Sequence, residues 1–254
     1  MGAEDYLTKP FNFVILRARI GACLEKKRLR DKEALYLQEI EKEKKRADDL
    51  LHVILPDEVA HELKTTHHVK PRRHENVAVM FCDIVGFTKY CDQRQPEEVI
   101  PALQSLFETF ETIASRHEVQ KIKTIGDSFM AVAGLLQSVK NPVLNCVQCA
   151  LEMIKVAQES EALWHMRAGI HVGPVVAGVV GHRQFLFDIW GDTVNIASRI
   201  EVSGIPDTID LSRTAWDKIA EQSIGESLGN VPIKGKGEIE IVRFNSFVKG
   251  SNIT

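Results

Sequence analysis

The spacing of apolar residues divides this chain into three regions. In FNFVILRARIGACL, Phe13, Leu16, Ile20 and Leu24 fall on one side of a helix, which predicts an amphipathic helix behind a turn and a Lys9-Pro10 corner. From Glu25 to Leu55 the chain is dense in charge, with Leu37, Ile40, Ala47, Leu51 and Ile54 on a heptad-like spacing. That pattern predicts a parallel coiled coil, with Lys44 at a position the heptad would fill with an apolar residue. Pro56 ends it, because proline's ring and missing N–H disfavour a helix interior, and Asp57 to Leu63 starts a short second helix. The polar tract Thr66 to His74, punctuated by Pro71, is the expected linker.

The third region, from Asn76 onward, mixes two periods. VAVMFCDIVGF reads as a buried strand ending at a glycine turn. PEEVIPALQSLFETFETIASRH reads as a helix with the apolar stripe Val99, Leu103, Leu106, Phe107 and Phe110. KIKTI and SFMAVAGL predict a hairpin around Gly126-Asp127, followed by the helix NPVLNCVQCALEMIKVAQ. MRAGIHVGPVVAGVVG predicts a strand and a turn, QFLFDIW a strand, TVNIASRIEVSG and TAWDKIAE helices, and EIEIVRF a final strand. Hairpins mixed with helices indicate an α+β fold. The expected divisions are 1–24, 25–55 for the coiled-coil helix, 56–75 for the short helix and linker, and 76–254.

Composition excludes more than it proves. A formal net charge of -3 gives no electrostatic case for nucleic acid or an anionic membrane. The five cysteines, an odd number without a signal peptide, suit a reduced cytoplasmic compartment. Apolar windows such as Met130 to Leu136 fall short of the roughly 18 residues of a spanning helix. Cys146-x-x-Cys149 lies within a predicted helix with no second pair, so buried packing is expected and not zinc. His61, His67, His68 and His74 lack the HExxH arrangement and are read as solvated. Phe185 and Trp190 are expected in the core or a dimer interface.

Asp83 is the first residue with chemical interest, because it interrupts the apolar run Val77 to Val85, where a lone carboxylate is costly unless paired or metal-bound. Asp127 sits at a hairpin turn, where aspartate is ordinarily a turn former. If the Asp83 strand neighbours the hairpin, both carboxylates converge at one sheet end, which is how proteins hold a pair of Mg²⁺ ions. Together with these, five stretches in order, VMFCDIVGFTKY, KIKTIGDSFMAVAG, MRAGIHVGPVVAG, FDIWGDTVNIASRIE and VPIKGKGEI, resemble the catalytic domain of class III nucleotidyl cyclases. The resemblance covers Val77 to Phe244 and implies a ferredoxin-like-derived α+β domain.

It also implies a site. Asp83 and Asp127, with the Ile84 carbonyl, match the ligands of two Mg²⁺ or Mn²⁺ ions. Gly86, Phe87 and Thr88 match a turn whose amides reach phosphate oxygens. Arg167 matches an arginine for the terminal phosphates. Lys234 matches a phosphate lysine, with Lys236 two residues on as the competing assignment. Asn195 and Arg199, four apart on one helical face, match the residues that orient the ribose and offset charge at the α-phosphate. Lys123 and Asp188 occupy the base-reading positions, a donor and an acceptor where guanylate cyclases typically carry glutamate and a small residue. Adenine offers an acceptor at N1 and a donor at N6, so this pair implies ATP.

The resemblance thus implies a homodimeric adenylate cyclase making 3′,5′-cyclic AMP and pyrophosphate, with two interfacial sites. Asp83, Asp127 and Arg167 would come from one chain, and Lys123, Asp188, Asn195, Arg199 and Lys234 from the other. The alternatives are a guanylate cyclase and a catalytically silent dimerisation module. The opening residues GAEDYLTKPF resemble the C-terminal end of a response-regulator receiver domain, with Lys9 at the switch-lysine position. An upstream receiver, acting through the coiled coil, is therefore expected in a longer protein.

Overall fold

The two helical patterns near the N-terminal end merge into one element. In the computed structural model, which describes residues 10, 12–181, 185–233 and 237–248, helix α1 runs unbroken from Phe13 to Ile54. Asn12 caps it, accepting the Val14 amide at 2.8 Å. The charge boundary at Leu24/Glu25 leaves no break, because no proline interrupts the backbone ladder there. Most apolar residues of α1 stay open to solvent, Phe13 at 78% and Ile40 at 65%, while Leu16 and Leu51 are half-buried. Helix α2 (Asp57–Thr66) follows Pro56, as expected. The chain divides into two units, Met1–His61 and Glu62–Thr254. Lys9 lies outside the described residues.

In the second unit, strand β1 (Arg72–Ile84) begins inside the tract expected to be a linker. The Glu62 carboxylate fastens that start by accepting the Lys70 amide at 3.1 Å and the Arg72 guanidinium at 2.7 Å. After β1 come α3 (Phe87–Asp92), α4 (Pro96–Arg116), β2 (Gln120–Ile125), β3 (Ser128–Ala133), α5 (Pro142–Glu159), β4 (Met166–Val180) and β5 (Leu186–Trp190). The remainder is α6 (Asp192–Ser203), β6 (Thr208–Ser212), α7 (Arg213–Trp216), β7 (Ser223–Ile233) and β8 (Gly237–Phe247). The sheet order is β2-β3-β1-β4-β6-β8-β7, with β5 paired to the far end of β4. Strand β1 lies between β3 and β4, antiparallel to both, so the first half is a βαββαβ unit. No helix among the described residues is long and apolar enough to cross a membrane.

Alternation along the strands separates two faces. Ala78, Met80, Cys82 and Ile84 of β1, Ala168, Ile170 and Val172 of β4, Ile209 and Leu211 of β6, and Val242 and Phe244 of β8 enter one core. Helix α4 contributes Leu106 and Phe110 to it, and α5 contributes Cys146, Cys149 and Met153, so the CxxC pair is buried packing. Phe107, Phe110 and Phe129 pack ring against ring with centroids 5.7 to 6.2 Å apart. The opposite face carries Asp83, Arg167, His171, Asp210 and Arg243, with α6 laid along β4.

Other expectations change too. The stretch MRAGIHVGPVVAGVV is one strand and not a strand and a turn: the β1–β4 ladder shifts register between His74 and Val77, opposite Pro174, which has no N–H to donate. The helix expected at TAWDKIAE shrinks to α7 and a 3₁₀ turn at Ala220–Gln222, since Ala215, Trp216 and Ile219 must all reach the core. Strand β7 has too polar a sequence to announce itself, yet its ladder with β8 is long. Of the two places expected for Phe185 and Trp190, core or dimer interface, the core is excluded: they stand 42% and 41% exposed beside Val180 and Leu186 on the β4–β5 hairpin.

Candidate active site

Strand pairing brings the two suspected carboxylates together. Cys82 lies opposite Phe129, so the next residue, Asp83, meets the start of β3, where the Gly126-Asp127 turn closes. Burial, and next the charge of Asp83, push the Asp127 carboxyl above its ordinary value, while backbone hydrogen bonds, one of them from Ile84, oppose the shift. On the other side of β1, Arg167 of β4 is the register partner of Asp83. Its guanidinium donates from Nη2 to Asp83 Oδ2 at 3.0 Å, from Nε to Glu201 Oε1 at 2.6 Å, and from Nη1 to the Val202 carbonyl at 3.1 Å.

Glu201, absent from the sequence expectations, is a buried carboxylate at the centre of this cluster. Burial is the main cause lifting its carboxyl to about 7; the Asp83 charge adds to that, and Arg167 opposes it. Glu201 is brought there by glycine. A Cβ on Gly169 would lie 2.2 Å from the Glu201 backbone nitrogen, and one on Gly173 would lie 2.7 Å from Thr193 Oγ1. The GIHVG run thus lets α6 settle directly onto β4. Asn195 is exposed and Arg199 half-buried, one turn apart, whereas Ile196, Ala197, Ile200 and Glu201 face the sheet. Helix α6 therefore carries two functional candidates on one side and Glu201 on the other.

Gly86 takes a left-handed conformation, φ 78°, which turns the end of β1 into α3. The first α3 backbone bond runs from the Tyr90 amide to the Gly86 carbonyl at 3.1 Å. The amides of Phe87 and Thr88 precede it, where a helix ladder supplies no partner. The Phe87 side chain turns inward against Tyr90 and Trp164, leaving backbone as the functional surface of this turn.

The second candidate group forms around β2. Lys123 Nζ lies 2.5 Å from Asp188 Oδ2, although the two are 65 residues apart. Asp188 is buried, and its other oxygen accepts the Ile189 amide at 2.9 Å. Lys121, two residues earlier, pairs with Glu111 on α4 at 2.5 Å and lies over the Phe129 ring. Lys234 and Lys236 lie outside the described residues.

The residues at the Asp83 edge fit divalent cations that take most ligands from substrate. Among the described residues no group of three His, Cys, Asp or Glu side chains forms an all-protein metal cage. Two adjacent carboxylates match the way Mg²⁺ binds through one or two carboxylates plus phosphate oxygens. The buried Ser128 hydroxyl, which finds no hydrogen-bond partner, follows Asp127 directly.

Residues 69–246 match the family described as adenylate and guanylate cyclase catalytic domain. The receptor-type guanylate cyclase gcy-13 of Caenorhabditis elegans is 36% identical over 222 residues, 84% of this chain and 22% of that protein. The germination-specific adenylate cyclase of Dictyostelium discoideum is 34% identical over 202 residues, 76% of this chain and 23% of that protein. The chain thus spans less than a third of either relative's length. Among solved structures, the catalytic core of a rhodopsin-guanylyl cyclase with converted specificity, in complex with ATPαS, is 30% identical with a TM-score of 0.66. It covers 70% of this chain and 98% of that one.

Proposed function

Because the chain belongs to the family of adenylate and guanylate cyclase catalytic domains, we propose that it is an adenylate cyclase, converting ATP to 3′,5′-cyclic AMP and pyrophosphate. The observation that carries the choice of base is the Lys123–Asp188 pair, a donor and an acceptor held side by side. Lys123 donates to adenine N1 and Asp188 accepts from the N6 amine; guanine, with the reverse polarity, sets a donor at N1 against Lys123 and an acceptor at O6 against Asp188.

Asp83, Asp127 and the Ile84 carbonyl would hold two Mg²⁺ or Mn²⁺ ions, which when bound supply activation of the ribose 3′-hydroxyl and neutralisation of the triphosphate. Asn195 orients the ribose so that its 3′-oxygen lies in line with the α-phosphorus. The 3′-hydroxyl proton passes to solvent, the new 3′-O–P bond forms, the bond to the β-phosphate oxygen breaks, and pyrophosphate leaves. Arg199 offsets the charge that grows around the α-phosphate, an interaction stronger in the transition state than before it. Arg167, Lys234 and the Phe87 and Thr88 amides hold the departing phosphates. The two groups of residues act from different chains of a homodimer. The exposed apolar surface of the β4–β5 hairpin, with Val180, Leu186 and Trp190, supports a second copy as the partner. The solvent-open stripe of α1 supports a coiled coil driven by an upstream receiver domain.

The guanylate cyclase reading is supported by similarity, since most of the relatives are guanylate cyclases, gcy-13 and the soluble guanylate cyclase subunit beta-2 of Rattus norvegicus among them. Product identification after incubation with Mn²⁺ and equal ATP and GTP decides between them. Cyclic AMP and pyrophosphate are expected; cyclic GMP as the main product overturns the choice of base, and no cyclic product overturns the cyclase. Activity per chain that falls on dilution is the expected mark of a shared site.

A further inference from the structure

We propose that Glu201 is a positioning residue that keeps Arg167 at the phosphate end of the site while one guanidinium nitrogen is exchanged between Asp83 and the nucleotide. This deepens, and rests on, the cyclase reading above. The three Arg167 bonds differ in kind. Two go to the last turn of α6: Nε to the Glu201 carboxylate at 2.6 Å and Nη1 to the Val202 carbonyl at 3.1 Å. A carbonyl in that turn has no ladder partner of its own, so it is a ready acceptor. The third bond, from Nη2, goes to Asp83 at 3.0 Å.

A guanidinium with Asp83 as its sole anion would compete with cations for that carboxylate. Glu201 removes this conflict by giving Arg167 a second, buried counter-charge. When Asp83 turns to other work, Nε and Nη1 remain bonded, and Nη2 is left in place for a phosphate oxygen. The arrangement also explains why a carboxylate is buried beneath a helix whose opposite side carries Asn195 and Arg199. Without Arg167 that charge would be stranded.

The test compares the full chain with Glu201→Gln, Arg167→Met and the double variant, reading Mn²⁺-pyrophosphate binding by calorimetry and KM and kcat for ATP separately. Glu201→Gln is expected to weaken pyrophosphate binding and raise KM by roughly tenfold, since it replaces a bond between two opposite charges by one between a charge and a neutral amide, with a smaller change in kcat. In the Arg167→Met background the same substitution is expected to add less than about twofold. Pyrophosphate affinity unchanged in Glu201→Gln, or equal losses in both backgrounds, overturns the proposal. If Glu201→Gln melts before assay, Glu201→Asp takes its place, with the charge kept and the same non-additivity required. A wild-type chain that binds pyrophosphate but forms no cyclic nucleotide defeats the cyclase reading and leaves the Glu201 result standing.

Discussion

The two faces of the central sheet are cut from the same strands and differ in what they bury. On β1, Met80 and Cys82 enter the apolar core, whereas Asp83 stands on the opposite face beside Arg167 and Glu201. On β6, Ile209 and Leu211 point one way, while Asp210 points the other and makes a two-pronged bond to Arg243 at 2.8 and 2.9 Å. The apolar face stabilises by burial. The polar face buries charge, which costs desolvation that its ion pairs only offset. Truncations on the first face should therefore unfold the protein, and removal of the Asp127 carboxylate at the edge of the second should disable it while leaving it folded.

The strongest separation is expected at Asp127. Asp127→Ala should reduce turnover by about a thousandfold or more, a loss of the order seen for key electrostatic groups. The melting temperature should hold or rise, because a carboxyl crowded by burial and by Asp83 is removed. Activity within tenfold of wild type would break the assignment of chemistry to this face. The converse lies at Phe110, which is fully buried against Phe107 and Phe129. Phe110→Ala should lower unfolding free energy by about 3–5 kcal/mol in urea titrations, while the folded fraction keeps its KM for ATP.

Acid should probe the polar face more finely. His171, held 2.6 Å from Ser212 Oγ, is pushed down to about 4 by burial. Its neutral form is favoured in the fold, so stability is full above pH 6.5 and falls as pH drops toward 4, by about 3 kcal/mol when complete. His171→Gln should flatten that limb. Glu201, raised to about 7, has the opposite slope: the metal-free fold loses stability as pH rises from 4.5 to 7, and Glu201→Gln should remove that loss. The smallest effect is expected at Lys121, whose pairing with Glu111 is partly exposed. Lys121→Ala should cost less than about 1 kcal/mol and leave the preference between ATP and GTP unchanged, unlike any change at Lys123.

Much of the fold is legible in the residues themselves. The stripe Val99, Leu106 and Phe110 is buried on α4, the hairpin turns at Gly126-Asp127, and Asp83 closes an apolar strand. Strand β7 is not legible, because its residues are polar and its existence depends on the ladder that β8 offers. Glu201 also escapes notice, since within SRIEVS it looks like one more helix-surface acid. Its only sequence signal is the pair of glycines in GIHVG, which ask for something to approach closely without saying what.

The sequence by itself determined the main helices, the core strands and which of their residues are apolar, because periodicity is a local property of the chain. Only the tertiary structure decided that Arg167 would be shared between Asp83 and Glu201, and that Lys123 would meet Asp188. Those pairings join residues 34 to 84 positions apart. They exist because β1 lies between β3 and β4 and because α6 can approach β4 where glycine leaves room.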